Sequence, residues 1–250
     1  MRRTDTPPDL GGKGALVTGA GARVGRALAL ALAEHGARVA VHYHTSAGPA
    51  EELAAAIRAA GGQAAAIGAD LADPAAPARL VAEAAAACGP LDILVNSASL
   101  FERGTLEETT LDAWERHMAV NLRAPFFLSQ AFARQVGERG GGHIINITDW
   151  RAQRPGRAYM AYIVSKAGLE ALTRSLALAL GPRVQVNAIA PGAILAPPGD
   201  DGTYFRRLAE RVPARRNGSP EEVVRAMLYL LGSGFVTGET LTVDGGEHLL

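Results

Sequence analysis

Tyr162 and Lys166 stand four residues apart in the stretch TDWRAQRPGRAYMAYIVSK, residues 148–166. On a helix that spacing places a phenol and an ammonium on one face. A phenol titrating near pH ~10 is a poor acid at neutral pH. A neighbouring ammonium favours the phenolate and so makes the phenol a better proton donor. Thirteen residues before the tyrosine lies Asp149, a carboxyl that can hold or relay a proton. Such a set suits proton delivery beside a hydride donor. Taken alone, the pair fits a buried tyrosine and a surface lysine equally well.

A second pattern, TGAGARVG at residues 18–25, has the composition of a phosphate-binding turn. Gly19 and Gly21 permit a tight turn with close backbone approach, and Gly25 lets a following helix pack near the preceding strand. Arg23 and Val24 complete the turn, and the helix start offers unpaired N–H groups to a pyrophosphate. A glycine-rich turn without a nucleotide is the plainer alternative. Further on, HYHTSA carries no Asp or Glu at the tip of what reads as the second strand. An acidic residue there would bond the ribose 2′-hydroxyl of NAD and repel a 2′-phosphate. Its absence, with Arg23 in the turn and His44, Thr45 and Ser46 opposite, favours NADPH. The two histidines also fit a solvated strand end, and no Cys, Asp or Glu cluster beside them suggests a metal. Asp70, followed by Leu71, is placed to accept from an adenine amino group or to act as a relative of a helix N-cap.

These residues need elements to position them. Short apolar runs alternate with longer amphipathic ones from residue 14 onward. Strands are predicted at 15–19, 38–44, 63–70, 91–99, 143–148, 184–192 and 239–246. The third is weak, because its alanines favour helix. Helices are predicted at 26–36, 49–62, 74–89, 110–135 with a kink at Pro125, 158–180, and from the Ser219-Pro220-Glu221-Glu222 capping box to about residue 231. Strand–helix alternation at this spacing predicts one α/β domain over residues 11–250, a Rossmann-like doubly wound parallel sheet with helices on both faces. Residues 1–10 read as a flexible tail. Ligands then bind at the carboxyl ends of the strands, where Thr18, His44, Asp70, Asn96, Asp149, Pro191 and Gly192 all fall.

Composition excludes several alternatives. The 250 residues carry 25 Lys plus Arg against 25 Asp plus Glu, so no bulk field draws the chain to nucleic acid or an anionic membrane. The single cysteine, Cys88, cannot form an intrachain disulfide and suits a reducing cytoplasm. No apolar stretch follows the N-terminal arginines, and none approaches the ~20 residues of a membrane span.

Together the motifs resemble the short-chain dehydrogenase/reductase family over nearly the whole chain. They are the glycine turn, Asn96-Ser97-Ala98-Ser99, Asn121 in AVNLRAPFF, Tyr162-x-x-x-Lys166, NAIAPG at 187–192 and TGETLTVDGG at 237–246. The resemblance implies a nicotinamide cofactor and an active-site set of Asn121, Tyr162 and Lys166, with Lys166 also holding the nicotinamide ribose. It implies that the Asn96-Ser97-Ala98 segment and Pro191 with Gly192 line the cofactor, and that Asn121 supports a water linking the lysine to solvent. A homotetramer with the helices around 110–135 and 158–180 at one interface is also implied.

Three departures from the common family pattern occur together. Arg23 stands where the turn has glycine, NSAS replaces NNAG, and Asp149 takes the place of the catalytic serine. In these the chain is similar to the pteridine reductases, although Thr45 stands where that subgroup often has a basic residue. The chemistry fits. Reducing a carbonyl builds an alkoxide, which a neutral hydroxyl stabilises and a carboxylate would repel. Reducing a ring C=N puts hydride on carbon and requires a proton on nitrogen. Asp149 with Tyr162 could deliver it, helped if the carboxyl is buried among apolar side chains. Phe101 is the candidate stacking partner for a flat substrate, and Ser99 and Arg23 are candidates for pterin or phosphate oxygens. The expected substrate is therefore a small pteridine. A carbonyl reductase, for instance of 3-oxoacyl carrier protein, is the enzymatic alternative, and a non-catalytic NADPH-binding protein the other. The segment 193–218 is expected to fold over the substrate.

Overall fold

The computed structural model describes residues 8–196 and 199–250. Seven parallel strands form one sheet in the order β3-β2-β1-β4-β5-β6-β7. They are β1 (Gly14–Val17), β2 (Arg38–Tyr43), β3 (Gln63–Gly68), β4 (Leu91–Asn96), β5 (Gly142–Ile147), β6 (Val184–Pro191) and β7 (Thr240–Val243). The helices are α1 (Arg23–Glu34), α2 (Ala47–Ala59), α3 (Ala76–Cys88), α4 (Leu111–Met118), α5 (Ala124–Val136), α6 (Met160–Leu180), α7 (Thr203–Arg211) and α8 (Pro220–Gly232). Two apolar clusters, one on each face of the sheet, hold the layers together. Strands covered on both faces read as continuous apolar runs, and β1 and β4 are buried at every position. Strand order reverses between β1 and β4, which opens a crevice at their carboxyl ends.

β3 shows tertiary context overriding propensity. Its alanines pair with β2 in unbroken register from Arg38 with Gln63 to Tyr43 with Gly68. The predicted helix over 110–135 is not simply kinked at Pro125. A π-helical turn, Ala119–Arg123, joins α4 to α5, and Pro125 falls in the first turn of α5. Proline cannot donate to a carbonyl four residues back, and its ring crowds that carbonyl. Widening the preceding turn relieves the crowding, and Asn121 sits in that wider turn.

The ordered body reaches into the predicted tail. Leu10 is buried, and its N–H donates to the His35 carbonyl at 2.9 Å. The expectation for residues 1–7 lies outside the described residues. Within 193–218, where no element was predicted, α7 forms, and the Gly218 N–H ties the segment back to the Ala193 carbonyl at 3.0 Å. Among the described residues no helix is long and apolar enough to cross a membrane.

Candidate active site

Two linked regions lie along the carboxyl ends of the strands. The first is a cleft of about 220 Å³ between the β1–α1 turn and the tip of β2. Gly19, Gly21, His44, Thr45, Ser46, Asp70, Leu71, Ala98 and Ser99 line it. The backbone makes it possible. Gly19 has φ +65°, and a Cβ there would sit 2.8 Å from the Ala98 Cα; one at Gly25 would sit 2.3 Å from the Gly19 carbonyl oxygen. A side chain at Gly19 would push the turn off the Ala98 segment, and one at Gly25 would push α1 off the turn, so both glycines set the shape of the cradle. Val24 follows in the first turn of α1.

Polar atoms behind the cleft hold its walls. The Thr18 hydroxyl accepts from the Ser97 and Ala98 N–H groups, each at 3.0 Å, and donates to the Val95 carbonyl at 3.3 Å. His42, expected at a solvated strand end, is buried. The Gly19 N–H donates to its Nδ1 at 3.1 Å and its Nε2 donates to the Ala69 carbonyl at 3.1 Å, which fixes one neutral tautomer. Burial lowers its pKa to about 4. Sequence reasoning missed this role, because nothing in HYHTSA separates the inward histidine from the outward one except strand alternation.

Two expected ligand residues, Asn96 and Arg23, sit differently from their sequence reading, while Asp70 takes the capping role that was one of its two readings. Asn96 is buried, and its amide donates to Asn146 Oδ1 at 2.8 Å, so its side chain ties β4 to β5 and does not face the cleft. Asp70 Oδ1 accepts from the Ala72 N–H at 2.8 Å as a turn cap, while Oδ2 lies 3.9 Å from His44 Nε2. Arg23, in a left-handed conformation at φ +53°, donates to the carbonyls of Ala196 at 3.2 Å and Leu195 at 3.4 Å. It therefore bridges the phosphate turn to the segment beyond Pro191 and Gly192.

The second region surrounds Tyr162. The phenol donates to Asp149 Oδ2 at 2.8 Å. Asp149 Oδ1 accepts from the Arg151 N–H at 2.8 Å, so the carboxyl also caps the short 3₁₀ turn Trp150–Ala152. Thr148, its neighbour, is buried and donates to the Ile189 carbonyl at 3.1 Å, which leaves it no part in the cleft. The condition of burial among apolar side chains alone is not met at Asp149, because the Arg151 guanidinium lies 3.4 Å from Oδ1.

Lys166 is buried and donates to the Ile147 carbonyl at 2.7 Å, and burial lowers its pKa to about 8. The expectation that this ammonium makes Tyr162 more acidic does not hold in the protein alone. Burial raises the Tyr162 pKa well above its ordinary value, and the Asp149 charge and hydrogen bond add to the effect. Burial is the larger cause, and the carboxylate in hydrogen-bond contact reinforces it.

Asn121 spends its side chain on scaffolding. Its Oδ1 accepts from the Leu100 N–H at 2.8 Å, and its Nδ2 donates to the Leu100 carbonyl and to Ser165 Oγ, both at 3.0 Å. This clamps the loop after β4 against α6. The same loop carries Ser99, whose hydroxyl donates to the Leu100 carbonyl at 3.2 Å, and Phe101, half exposed. The Phe101 ring meets Tyr162 edge-on at 4.7 Å and stacks on Tyr159 at 4.5 Å with 6° between planes. Tyr159, absent from the sequence reading, adopts φ +63° before α6; no sequence signal marks a tyrosine for the left-handed region.

A dinucleotide cleft beside a tyrosine–lysine pair, on a sheet that reverses at the same point, defines a nicotinamide-dependent oxidoreductase of Rossmann type. The comparisons narrow this. Residues 19–248 match the family described as enoyl-(acyl carrier protein) reductase. The chain is 36% identical over 248 residues to L-rhamnose 1-dehydrogenase (NAD(P)(+)) of Sphingomonas, covering 96% of this chain and 98% of that one. Among solved structures it is similar to FolM alternative dihydrofolate reductase 1 from Brucella canis complexed with NADP. That match has a TM-score of 0.92 at 35% identity and covers 97% of this chain and 96% of the other. A short-chain dehydrogenase from Burkholderia cenocepacia in complex with NADP gives a TM-score of 0.90 at 39% identity, with 96% and 99% covered. The chain belongs to the short-chain dehydrogenase/reductase family.

Proposed function

We propose that the chain is an NADPH-dependent pteridine reductase, which adds hydride to a ring C=N carbon of a pterin or dihydropterin. The observation that carries the reading is the 2.8 Å contact of the Tyr162 phenol with the Asp149 carboxyl, where a carbonyl reductase would present a hydroxyl. Likeness to the Brucella dihydrofolate reductase supports it, and dihydrofolate is a candidate substrate.

Bound NADPH would supply the hydride. The lining of the cleft suits it: no acidic side chain stands at the tip of β2, and His44, Thr45 and Ser46 are placed for the 2′-phosphate. Asp70 and Leu71 would border the adenine; Ser97, Ala98, Pro191 and Gly192 would line the nicotinamide half. Lys166, anchored on Ile147 and mostly charged at neutral pH, would give its remaining donors to the ribose. Asp149, once protonated from water, would hand its proton to the ring nitrogen next to the carbon that is reduced. Tyr162 then holds the carboxylate left behind, and its raised pKa suits a group that stays a donor. Phe101 would stack on the flat substrate, and Ser99 and Arg23 border its entry. Asn121 fixes the loop that carries Phe101.

The protein would act as a cytoplasmic homotetramer. Exposed Phe126 and Leu178, and the groove between α5 and α6 that Phe126 and Leu180 line, support an interface there. The test is an NADPH-oxidation panel with dihydrobiopterin, dihydromonapterin, dihydrofolate and an acetoacetyl thioester. Turnover of the thioester alone defeats the reading and favours a carbonyl reductase, the direction in which the sugar dehydrogenase relative points. Asp149→Ser should cut pteridine turnover at least ~10-fold, a cautious figure set below the usual size of acid–base assistance. In a carbonyl reductase the same change should raise ketone reduction.

A further inference from the structure

A carboxyl that gives up a proton ends as a full negative charge in a partly dry site, and something must carry that charge. Tyr162 serves one oxygen, Oδ2. The other, Oδ1, faces Arg151, whose main-chain N–H reaches it at 2.8 Å and whose Nη1 lies 3.4 Å away; Nη1 is 3.5 Å from Oδ2. The guanidinium also lies over the Trp150 ring, 4.8 Å from its centroid, which holds the side chain against the turn. Side-chain exposures of 24% for Arg151 and 14% for Asp149 leave the pair only partly screened. Among the described residues no other cation comes within ion-pair distance of Asp149.

We infer that Arg151 is a positioning residue for proton transfer: it aims the Asp149 carboxyl at Tyr162 and balances the charge left when that carboxyl delivers its proton. This rests on Asp149 being the donor in the proposed reaction. The step is balanced. The O–H bond of Asp149 breaks, an N–H bond forms on the ring, and the carboxylate stays paired with Arg151 until water reprotonates it. The 3.4–3.5 Å contacts suit this task. They are ion-pair distances and not short hydrogen bonds, so the charge is compensated while the oxygens stay free to take up and lose a proton.

The surroundings make one guanidinium matter more. Glu170 on α6 packs behind the site, held by the Gln153 amide at 3.2 Å. From the C-terminal turn come Asp244, which accepts from the Gly246 and His248 N–H groups and meets His248 Nδ1, and buried Glu247, whose Oε2 has no partner. Arg174 and Asp149 both act on Glu170, and Arg151, Asp244 and Asp149 on Glu247; burial is the larger influence in each case and raises both carboxyls. Arg154 is directed to the His248 carbonyl at 3.4 Å, and Lys166 to Ile147. Arg151 is thus the cation that meets Asp149 amid several carboxyls.

The experiment is the pH profile of kcat/KM for the wild type and for Arg151→Met, Arg151→Lys, Asp149→Asn and the Asp149→Asn/Arg151→Met double variant. It is run on whichever substrate, pteridine or ketone, the wild type reduces. Methionine keeps an apolar stem over Trp150; if it does not fold, Arg151→Gln takes its place. Losing the guanidinium should move the alkaline limb up by about 1 pH unit, Arg151→Lys should return it close to the wild-type position, and Arg151→Met should add nothing to Asp149→Asn. A uniform loss at every pH with an unmoved limb overturns the inference, as does an effect that multiplies with Asp149→Asn. If Asp149→Asn itself changes nothing, the donor role of Asp149 falls, and this inference with it. If Asp149→Asn is crippled while the Arg151→Met limb stays put, only this inference fails.

Discussion

The cofactor cleft and the proton-transfer region share one sheet edge but are built by opposite means. Absent side chains and backbone groups shape the cleft. Gly19 and Gly25 leave the space, and Thr18 and His42 pin the walls from behind. Around Tyr162 the work falls to side chains with charge. Lys166 and Tyr162 are buried, and Asp149 and Arg151 meet at the rim. Steric defects should therefore dominate the first region and proton balance the second. A change in one should leave the other intact.

The largest test of that separation is Tyr162→Phe. It removes the donor to Asp149 Oδ2 without altering the packing against Phe101. kcat should fall by about 10²–10³-fold, the usual cost of losing one donor aimed at developing negative charge, while NADPH affinity measured by fluorescence titration stays at the wild-type value. A parallel loss of cofactor binding would mean that the two regions are not independent.

His42 sharpens the comparison from the other side, since it is the buried histidine of the cofactor region. Its pKa falls from 6.5 in the unfolded chain to about 4 in the fold, chiefly through burial. The unfolded chain therefore binds the proton first as pH drops. Stability from neutral His42 is complete above pH 6.5 and is lost as pH falls toward 4, by about 3 kcal/mol in all. Protonation also turns Nδ1 into a donor facing the Gly19 N–H. Folded His42 gains its proton only near pH 4, so NADPH affinity should weaken there, below the interval in which most of the stability is lost. Thermal melts from pH 7 to 4.5 on wild type and His42→Gln check this: the variant should start lower and lose less on acidification. Equal slopes would place the acid sensitivity elsewhere.

The same contrast explains what could be read from the chain. Glycine spacing and strand–helix alternation are local, so the cleft, the sheet and Tyr162 with Lys166 were legible. Even the alanine-rich β3 was visible, although only its pairing with β2 makes it a strand. The proton-transfer region depends on what the fold brings together. The wider turn that holds Asn121 answers to Pro125, four residues on. Tyr159 takes a left-handed conformation that no residue type advertises, and Glu247 arrives from the far end of the chain. Arg151 sits two residues from Asp149 in a single 3₁₀ turn, too short to carry a period. Asn96 was misplaced for a similar reason. Its position at a strand end is a sequence fact, but its bond to Asn146 is a property of the β4–β5 register.

The smallest expected effect lies at the exposed lip of the cleft, where neither steric exclusion nor burial amplifies a change. Thr45 is exposed at the tip of β2, beside His44 and Ser46. Thr45→Arg would place a guanidinium beside the expected 2′-phosphate, but in solvent, where an ion pair is worth about 0.2–1 kcal/mol. NADPH affinity should rise by no more than roughly fivefold at low salt, with NADH affinity unchanged. The gain should vanish near 1 M salt, where the Debye length shrinks to about 3 Å. A gain that survives high salt would show that the guanidinium binds in a dry pocket. The lip would then belong with the charge-controlled region around Tyr162, and the division between a cleft shaped by backbone and a site governed by side chains would have to be redrawn.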